Sequence, residues 1–585
     1  MPESPIPPPA KQDFGLWALL LLPFLALLLA AAGNERASWP DLLPRESTLL
    51  MQAGSLLEDH DLVYERLDFD RLLLAWRGNP PDLNLATGSD GRKITFQYPF
   101  VYALYLAPFL AIAPERGIAC ANILLLLLAT CVAGRTLHRR LGGASPLLLG
   151  LWLFGSAAFA TVFRADGDAF VLALSLLAGS AVLAAEPAEQ GRGRRLMFGA
   201  GLLLGPVILA GPTALLLLAL LVYSVAGEAR RRLAPPLLLG AAAGMVFLML
   251  VQWWNGGGLY FFATSTFNFT PATGYPAVDF PTGDWASEVQ KLRALNWNAA
   301  PKLSLGFEPR LLLWNVWYFF AGASHGLIPY LLPLLLLLAL ARSRALLLVT
   351  ALWVLSLLVL QPFNFWGGPG GLGNRLLLPL YGAAIVCLPA LRGKWAAGPG
   401  RTKLAGAAIL VLVAPFLAGL WASPGSWPFA RAAYQQQTAW ARGLLPHETS
   451  QQFLPGGTVA ELNGIFVAAL DENSWVEKQQ NRLGMQGGQA TFLVCSGTAL
   501  SALVFEMGED APSEVSFQGG ELAESILRPE GGIGFRIEPR LWRRHPLFFS
   551  PLPLYIYRIE IGLPAGARGD TFFRLTPEWP AGEDR

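Results

Sequence analysis

The chain has 585 residues, of which 53% are hydrophobic and only 14% charged, with a net charge of +2. A water-soluble domain runs nearer ~25% charged. Apolar runs recur along the first 420 positions, each long enough for a ~30 Å hydrocarbon core. These features exclude a soluble enzyme, a fibre and a disordered chain, and leave a polytopic membrane protein.

In chain order, the start (MPESPIPPPAKQDF) is Pro-rich and lacks a basic n-region. The apolar run 15–33 ends without a cleavage site and is expected to be a retained first helix. Leu49, Leu50, Ala53, Leu56 and Leu57 then follow a helical period, which predicts an amphipathic helix over 47–58 lying on the membrane. Further spans are expected at 117–134, 146–163, 169–185, 197–210, 212–226, 234–253, 326–341, 345–361, 376–391 and 404–422, making about eleven. The runs 98–114 and 309–322 are short and rich in Tyr, Trp and Pro, which suits helices at the interface. Beyond 423, β-type runs alternate with Gly/Pro/Asn turns: Thr458–Leu470, Ala490–Ser496, Leu500–Glu506, Glu514–Gln518, Ile533–Ile537, Leu554–Ile561 and Thr571–Leu575. That spacing predicts a β-sandwich. The expected architecture is a polytopic α-helical membrane domain over 1–422, with outer loops 34–116 and 254–325, and an extracytoplasmic β-rich domain over 423–585.

Loop charge orients this architecture. Five short connections carry 15 basic residues: Arg135/Arg139/Arg140, Arg192/Arg194/Arg195, Arg230–Arg232, Arg342/Arg344, and Arg392/Lys394/Arg401/Lys403. The short loops between them carry only Arg164 and Arg375. The basic set is expected in the cytoplasm, which puts the N-terminus inside and the tail outside if 98–114 lies flat. If 98–114 crosses instead, the N-terminus and loop 34–97 change sides. The basic excess reports topology and not nucleic-acid binding. The four cysteines give neither a metal spacing nor a disulfide framework.

No expected span carries Asp, Glu, Lys, Arg or His at its middle, which weighs against an ion-coupled transporter. The charges gather at outer helix ends instead. Glu46 is either a base for an acceptor hydroxyl or an acid favoured at a helix start. In Arg164-Ala165-Asp166-Gly167-Asp168, the acids are either cavity carboxylates, part of a metal site, or the polar cap of a short loop. The segment Asn364–Arg375 holds five glycines, Trp366, the Asn374 amide and Arg375, whose fork suits a phosphate. His325 heads a span in Gly322–Gly326, as a ligand or as an interfacial hydrogen-bonding group.

The order of these features resembles the GT-C superfamily of glycosyltransferases, the fold of protein O-mannosyltransferases and of the lipid A aminoarabinose transferase. More closely it resembles bacterial membrane proteins with that fold and a β-sandwich tail. The resemblance covers nearly the whole chain. It rests on an acid after the first span and before Ser55–Leu62, on QYPFVYALYLAPF (Gln97–Phe109), on GASHGLIPYLLP (Gly322–Pro333) and on GGLGNRLLLPLY (Gly370–Tyr381). It implies transfer, with inversion, of a sugar from a polyprenyl-phosphate donor to a glycan, lipid or protein acceptor at the outer face of a bacterial cytoplasmic membrane. The catalytic acids would fall on Glu46 and Asp168. The donor phosphate would fall to Arg375, His325 and Arg164, and the sugar or acceptor to Asp166, Tyr98, Trp366 and Asn374. No cofactor, metal site, nucleotide sugar or nucleic acid is implied, although a divalent metal stays open. Two departures stand out: an acidic pair common in the family reads Arg45-Glu46 here, and a Lys-Pro step reads Gly211-Pro212. The first motivates the alternative of a non-catalytic envelope protein that binds a lipid-linked glycan or acts in assembly.

Overall fold

Every apolar run expected to cross the membrane lies on helical structure in this computed structural model, which describes most of residues 14–254 and 309–422, the strand Thr266–Phe269 and most of residues 460–580. The helices up to residue 254 are α1 (Phe14–Ala32), α2 (Pro44–Glu58), α3 (Arg66–Ala75), α4 (Phe100–Ile112), α5 (Gly117–Leu141), α6 (Ser145–Phe154), α7 (Asp168–Ala185), α8 (Gln190–Ala210), α9 (Leu215–Ser224) and α10 (Gly227–Trp254). After it come α11 (Pro309–Ala321), α12 (Leu327–Tyr330), α13 (Leu332–Ala341), α14 (Arg344–Leu360), α15 (Leu378–Ala383) and α16 (Pro399–Ala422).

Among the described residues, α5, α7, α8 and α10 are long and apolar enough to cross a membrane alone. The remaining expected spans fall on apolar helices of 10–17 residues or on a bent pair. The stretch 146–163, expected as one span, is that pair: α6 stops at Phe154, and a 3-10 helix, Ala157–Phe163, leaves it at 67°. Ser156 causes the break by turning extended and accepting the Ala158 N–H on its Oγ at 3.3 Å. Likewise 376–391 is not one α-helix. Arg375–Leu377 and Ala384–Leu391 are 3-10, on either side of α15.

Nearly all of α7 is buried, and α5, α8 and α15 pack around it. By contrast α10 leaves Leu238, Leu239, Val246, Phe247 and Leu250 exposed, a face that lipid would satisfy. It holds to α8 by close backbone approach. Side chains at Gly201 and Gly240 would run into the carbonyls of Leu237 and Phe198, and a Cβ at Gly205 would meet the Gly244 backbone at 2.9 Å. Two facing small-xxx-small pairs make this contact.

Strands β1 (Leu83–Thr87), β2 (Ile94–Phe96) and β3 (Thr266–Phe269) form one antiparallel sheet, with β1 central. This sheet joins the two long segments that follow α1 and α10, and Thr48 of α2 accepts the Asn84 N–H at 2.8 Å to anchor it.

Among the described residues, the tail folds as two six-stranded antiparallel sheets. One contains β4 (Ala460–Leu462), β5 (Ile465–Ala469), β8 (Gln489–Ser496), β10 (Ser516–Gln518), β13 (Leu541–Pro546) and β14 (Pro553–Gly562). The other contains β6 (Ser474–Glu477), β7 (Arg482–Gln486), β9 (Ala502–Met507), β11 (Gly520–Leu527), β12 (Ile533–Pro539) and β15 (Asp570–Glu578). A single core joins them, with Phe492, Val494 and Ile559 from the first sheet and Leu503, Phe505 and Phe573 from the second.

Candidate functional site

The turn from Arg164 to Asp168 joins the 3-10 helix to α7, and side chains from three other elements fasten it. Asn122 of α5 donates from Nδ2 to the carbonyls of Val162 (3.1 Å) and Arg164 (2.9 Å). The Tyr102 hydroxyl of α4 donates to Arg164 O at 3.3 Å. Glu46, in the first turn of α2, accepts the Ala165 N–H on Oε1 at 3.0 Å. Within the turn, Asp166 Oδ1 accepts the Asp168 N–H at 3.1 Å, capping the start of α7. Gly167 takes φ +81°, a backbone conformation that disfavours any side chain.

The second side of the site is the entry to α15. Asn374 Oδ1 accepts the Leu376 N–H at 3.1 Å, and its Nδ2 donates to Phe365 O at 3.0 Å. This fixes Arg375 against the turn. Arg375 Nη1 lies 3.6 Å from Asp166 Oδ2, and its Nε lies 3.4 Å from Asp168 Oδ2. Arg164 Nε is 2.8 Å from Asp166 Oδ2. Arg45 reaches Asp168 Oδ1 at 3.9 Å and sits 5.2 Å from the centre of the Tyr98 ring. The Tyr98 hydroxyl takes a hydrogen bond from Asn84 Nδ2 at 2.6 Å, and Gln52 Nε2 donates to its carbonyl at 3.0 Å.

Three guanidiniums thus face three carboxylates, those of Glu46, Asp166 and Asp168. Glu46 and Asp166 are wholly buried, and Arg164 is 2% exposed. Charges held this deep must be paired, because an uncompensated one costs several kcal/mol. Burial pushes the Asp166 carboxyl up, but Arg164, then Arg375 and Arg45, overcome it and hold it at about 2. Burial raises the Tyr98 phenol. His325 is half-buried and hydrogen-bonded to the Gly373 backbone, and desolvation lowers its pKa to about 4. It is therefore neutral at pH 7 and offers a hydrogen bond in place of a charge.

Between the two sides lies a cavity of about 20 Å³, room for one water. Its lining combines apolar Ala157, Leu331, Leu372 and Leu378 with polar Thr161, Arg164, Asp168, Asn374 and Arg375. Arg164 lines this cavity, and its buried Nη2 has no hydrogen-bond acceptor among the described residues. Residues from all over the sequence therefore converge here: Glu46, Arg164, Asp166, Asp168 and Arg375 in one cluster, with Tyr98, His325 and Asn374 at its margins. Trp366 lies outside the described residues. Among the described residues no group of three or more His, Cys, Asp or Glu could hold a metal; here the carboxylates face arginines. Asn122, Tyr102 and the Arg45–Asp168 pair were not singled out in the sequence. A polar amide inside the apolar run 117–134 was the available signal for Asn122.

No family model matches the chain, and no curated protein does. Among solved structures it is similar to the crystal structure of ArnT from Cupriavidus metallidurans bound to undecaprenyl phosphate. The identity is 16% and the TM-score 0.37, over 70% of this chain and 65% of that one. The chain thus spans just under two thirds of that protein's length.

Proposed function

We propose that the chain is a bacterial membrane glycosyltransferase of GT-C type, moving a sugar from a polyprenyl-phosphate donor to an acceptor at the outer face of the cytoplasmic membrane, with inversion. In this proposal the shorter apolar helices complete about eleven spans, the N-terminus is cytoplasmic, and the β-sandwich of 423–585 is extracytoplasmic. The 13 residues of α4 rise about 20 Å, short of the ~30 Å hydrocarbon core, which supports a helix lying flat.

One observation carries the proposal: Arg164, whose buried Nη2 has no hydrogen-bond acceptor among the described residues, lines a cavity that combines arginine and apolar side chains. An anion carried on a hydrocarbon tail satisfies both kinds of lining. Arg164 and Arg375 would take the phosphate with His325 as a neutral donor, a carboxylate drawn from Glu46 and Asp168 would accept the hydroxyl proton, and the guanidiniums would stabilise the departing phosphate. Asp166, Tyr98, Trp366 and Asn374 are left for sugar and acceptor. The cavity is too small for a phosphate as it stands, so entry requires the arginine–aspartate pairs to part.

The test is binding of a polyprenyl phosphate, compared with the polyprenyl alcohol of equal length, to purified protein in detergent. Thermal stabilisation by the phosphate alone, lost in Arg164→Ala, is the expected result. Equal stabilisation by both lipids ends the proposal. Comparing polyprenyl-linked sugars and envelope glycans by mass spectrometry, with and without the gene, then identifies sugar and acceptor. The Arg45–Asp168 contact favours a second reading, a non-catalytic envelope protein that holds a lipid-linked glycan. That reading predicts phosphate binding with unchanged envelope glycans.

A further inference from the structure

The position of Glu46 just after the first span makes it the first candidate for the base, but its surroundings differ from those of Asp168 in three respects. Glu46 is wholly buried and is absent from the cavity lining among the described residues, whereas Asp168 lines that cavity beside Arg164 and Arg375. One Glu46 oxygen is fastened to the turn backbone through the Ala165 N–H at 3.0 Å. Among the described residues, the Asp168 carboxylate is held by two long ion pairs, 3.4 Å to Arg375 and 3.9 Å to Arg45, and its side chain keeps 10% of its surface open. Asp166 is no competitor: Arg164 holds it at 2.8 Å, its other oxygen caps α7, and it too is wholly buried.

We infer that Asp168 is the catalytic carboxylate, and that Glu46 is a positioning residue that sets the turn from which Asp168 acts. This rests on the transferase reading above and assigns its central role. Arg375 pairs with Asp168, so a phosphate that draws Arg375 to itself loosens that pair and turns the carboxylate toward the incoming hydroxyl. In the transfer step the acceptor O–H gives its proton to Asp168 as its oxygen bonds to the anomeric carbon. The bond from that carbon to the phosphate oxygen breaks, and its electron pair leaves on polyprenyl phosphate facing Arg164 and Arg375. Asp168 then releases the proton to water, so the products are the glycoside, polyprenyl phosphate and one proton.

The experiment compares Asp168→Asn, Glu46→Gln and Glu46→Ala for three readouts: polyprenyl phosphate binding in detergent, thermal midpoint, and glycan formed against pH in membranes from a deletion strain carrying each variant. Asp168→Asn should bind polyprenyl phosphate as well as wild type or better and lose ~10²–10⁴-fold in turnover, together with the acid limb of the pH profile. Glu46→Gln keeps an oxygen for the Ala165 N–H. It should lose less than about tenfold and retain that limb, whereas Glu46→Ala should lose turnover and thermal stability together. A loss of ~10²-fold or more in a thermally intact Glu46→Gln, or near-normal turnover in Asp168→Asn, overturns the assignment. If wild type neither binds polyprenyl phosphate nor forms glycan, the transferase reading itself falls, and this assignment with it.

Discussion

Asn122 holds the candidate site together without touching the cavity, so replacing it measures what the turn's scaffold is worth. In Asn122→Leu the volume stays similar, but Nδ2 no longer reaches Val162 O or Arg164 O, 3.1 and 2.9 Å away. The Arg164 carbonyl keeps the Tyr102 hydroxyl at 3.3 Å; the Val162 carbonyl loses its side-chain donor. A buried acceptor without a partner costs ~1–3 kcal/mol, and losing one of two shared bonds adds about 1. The expected loss is therefore about 2–4 kcal/mol, summed from those bond energies. Asn122→Asp should be worse, because a carboxylate would face two carbonyl oxygens. Thermal unfolding in detergent reads the stability, and polyprenyl phosphate binding on the same preparation reads the position of Arg164. Since Asn122 is about 1% exposed, solvent offers no replacement donor. An Asn122→Leu protein within ~0.5 kcal/mol of wild type, the scatter of a neutral surface change, with unaltered lipid binding would refute the reasoning.

Other expectations concern the rest of the molecule. Arg375→Lys should weaken polyprenyl phosphate binding at least about tenfold, because one ammonium cannot replace the fork that spans Asp166 and Asp168; full affinity would make the residue structural. Gly240→Leu drives a side chain into α8 and should destabilise by ~1–3 kcal/mol or more, visible as a lower thermal midpoint. Burial raises the Asp68 carboxyl to about 7, against the Glu65 N–H that stabilises its ion. Its folded pKa lies above the ordinary value, so its contribution is full below about pH 4 and is lost as pH rises through about 7. Asp68→Asn should therefore raise the midpoint at pH 8 and leave it nearly unchanged at pH 4, and equal effects at both would contradict the burial argument.

Helices were legible in this chain because twenty apolar residues have few alternatives in lipid. Their internal breaks were legible only in part. Gly155-Ser156 punctuates 146–163 and Pro389 sits in 376–391, yet continuous apolarity hides both. In the tail, Thr458–Leu470 reads as one strand but turns at Asn463, whose φ is +49°. The Asn463-Gly464 step is a hairpin signal that the apolar count passes over. Strands β6, β7, β11 and β13 escaped because residues such as Glu477, Arg482, Glu521 and Arg543 break the alternation; ladder partners hold them in place. For the site, residue types were legible and distances were not. Nothing local to Arg45 shows that it will stack on Tyr98 and reach Asp168, because folding alone brings those three positions together.

The three-stranded sheet also sets a timetable for the nascent chain. Leu83 pairs with Phe269, and Leu85 with Phe267, so the inner edge of β1 has no native neighbour until the ribosome has read through α10. At ~5–20 residues per second, that edge waits about 10–40 s. Glu46 waits for Ala165, 119 residues downstream, for about 6–24 s at the same rate. Until then a carboxylate that ends fully buried lacks its partner, and the segment between α1 and α4 is complete in sequence but not in structure. Slowing elongation between codons 97 and 266 should lengthen that window and increase protease cleavage within residues 83–96, while the same delay placed after codon 270 should not.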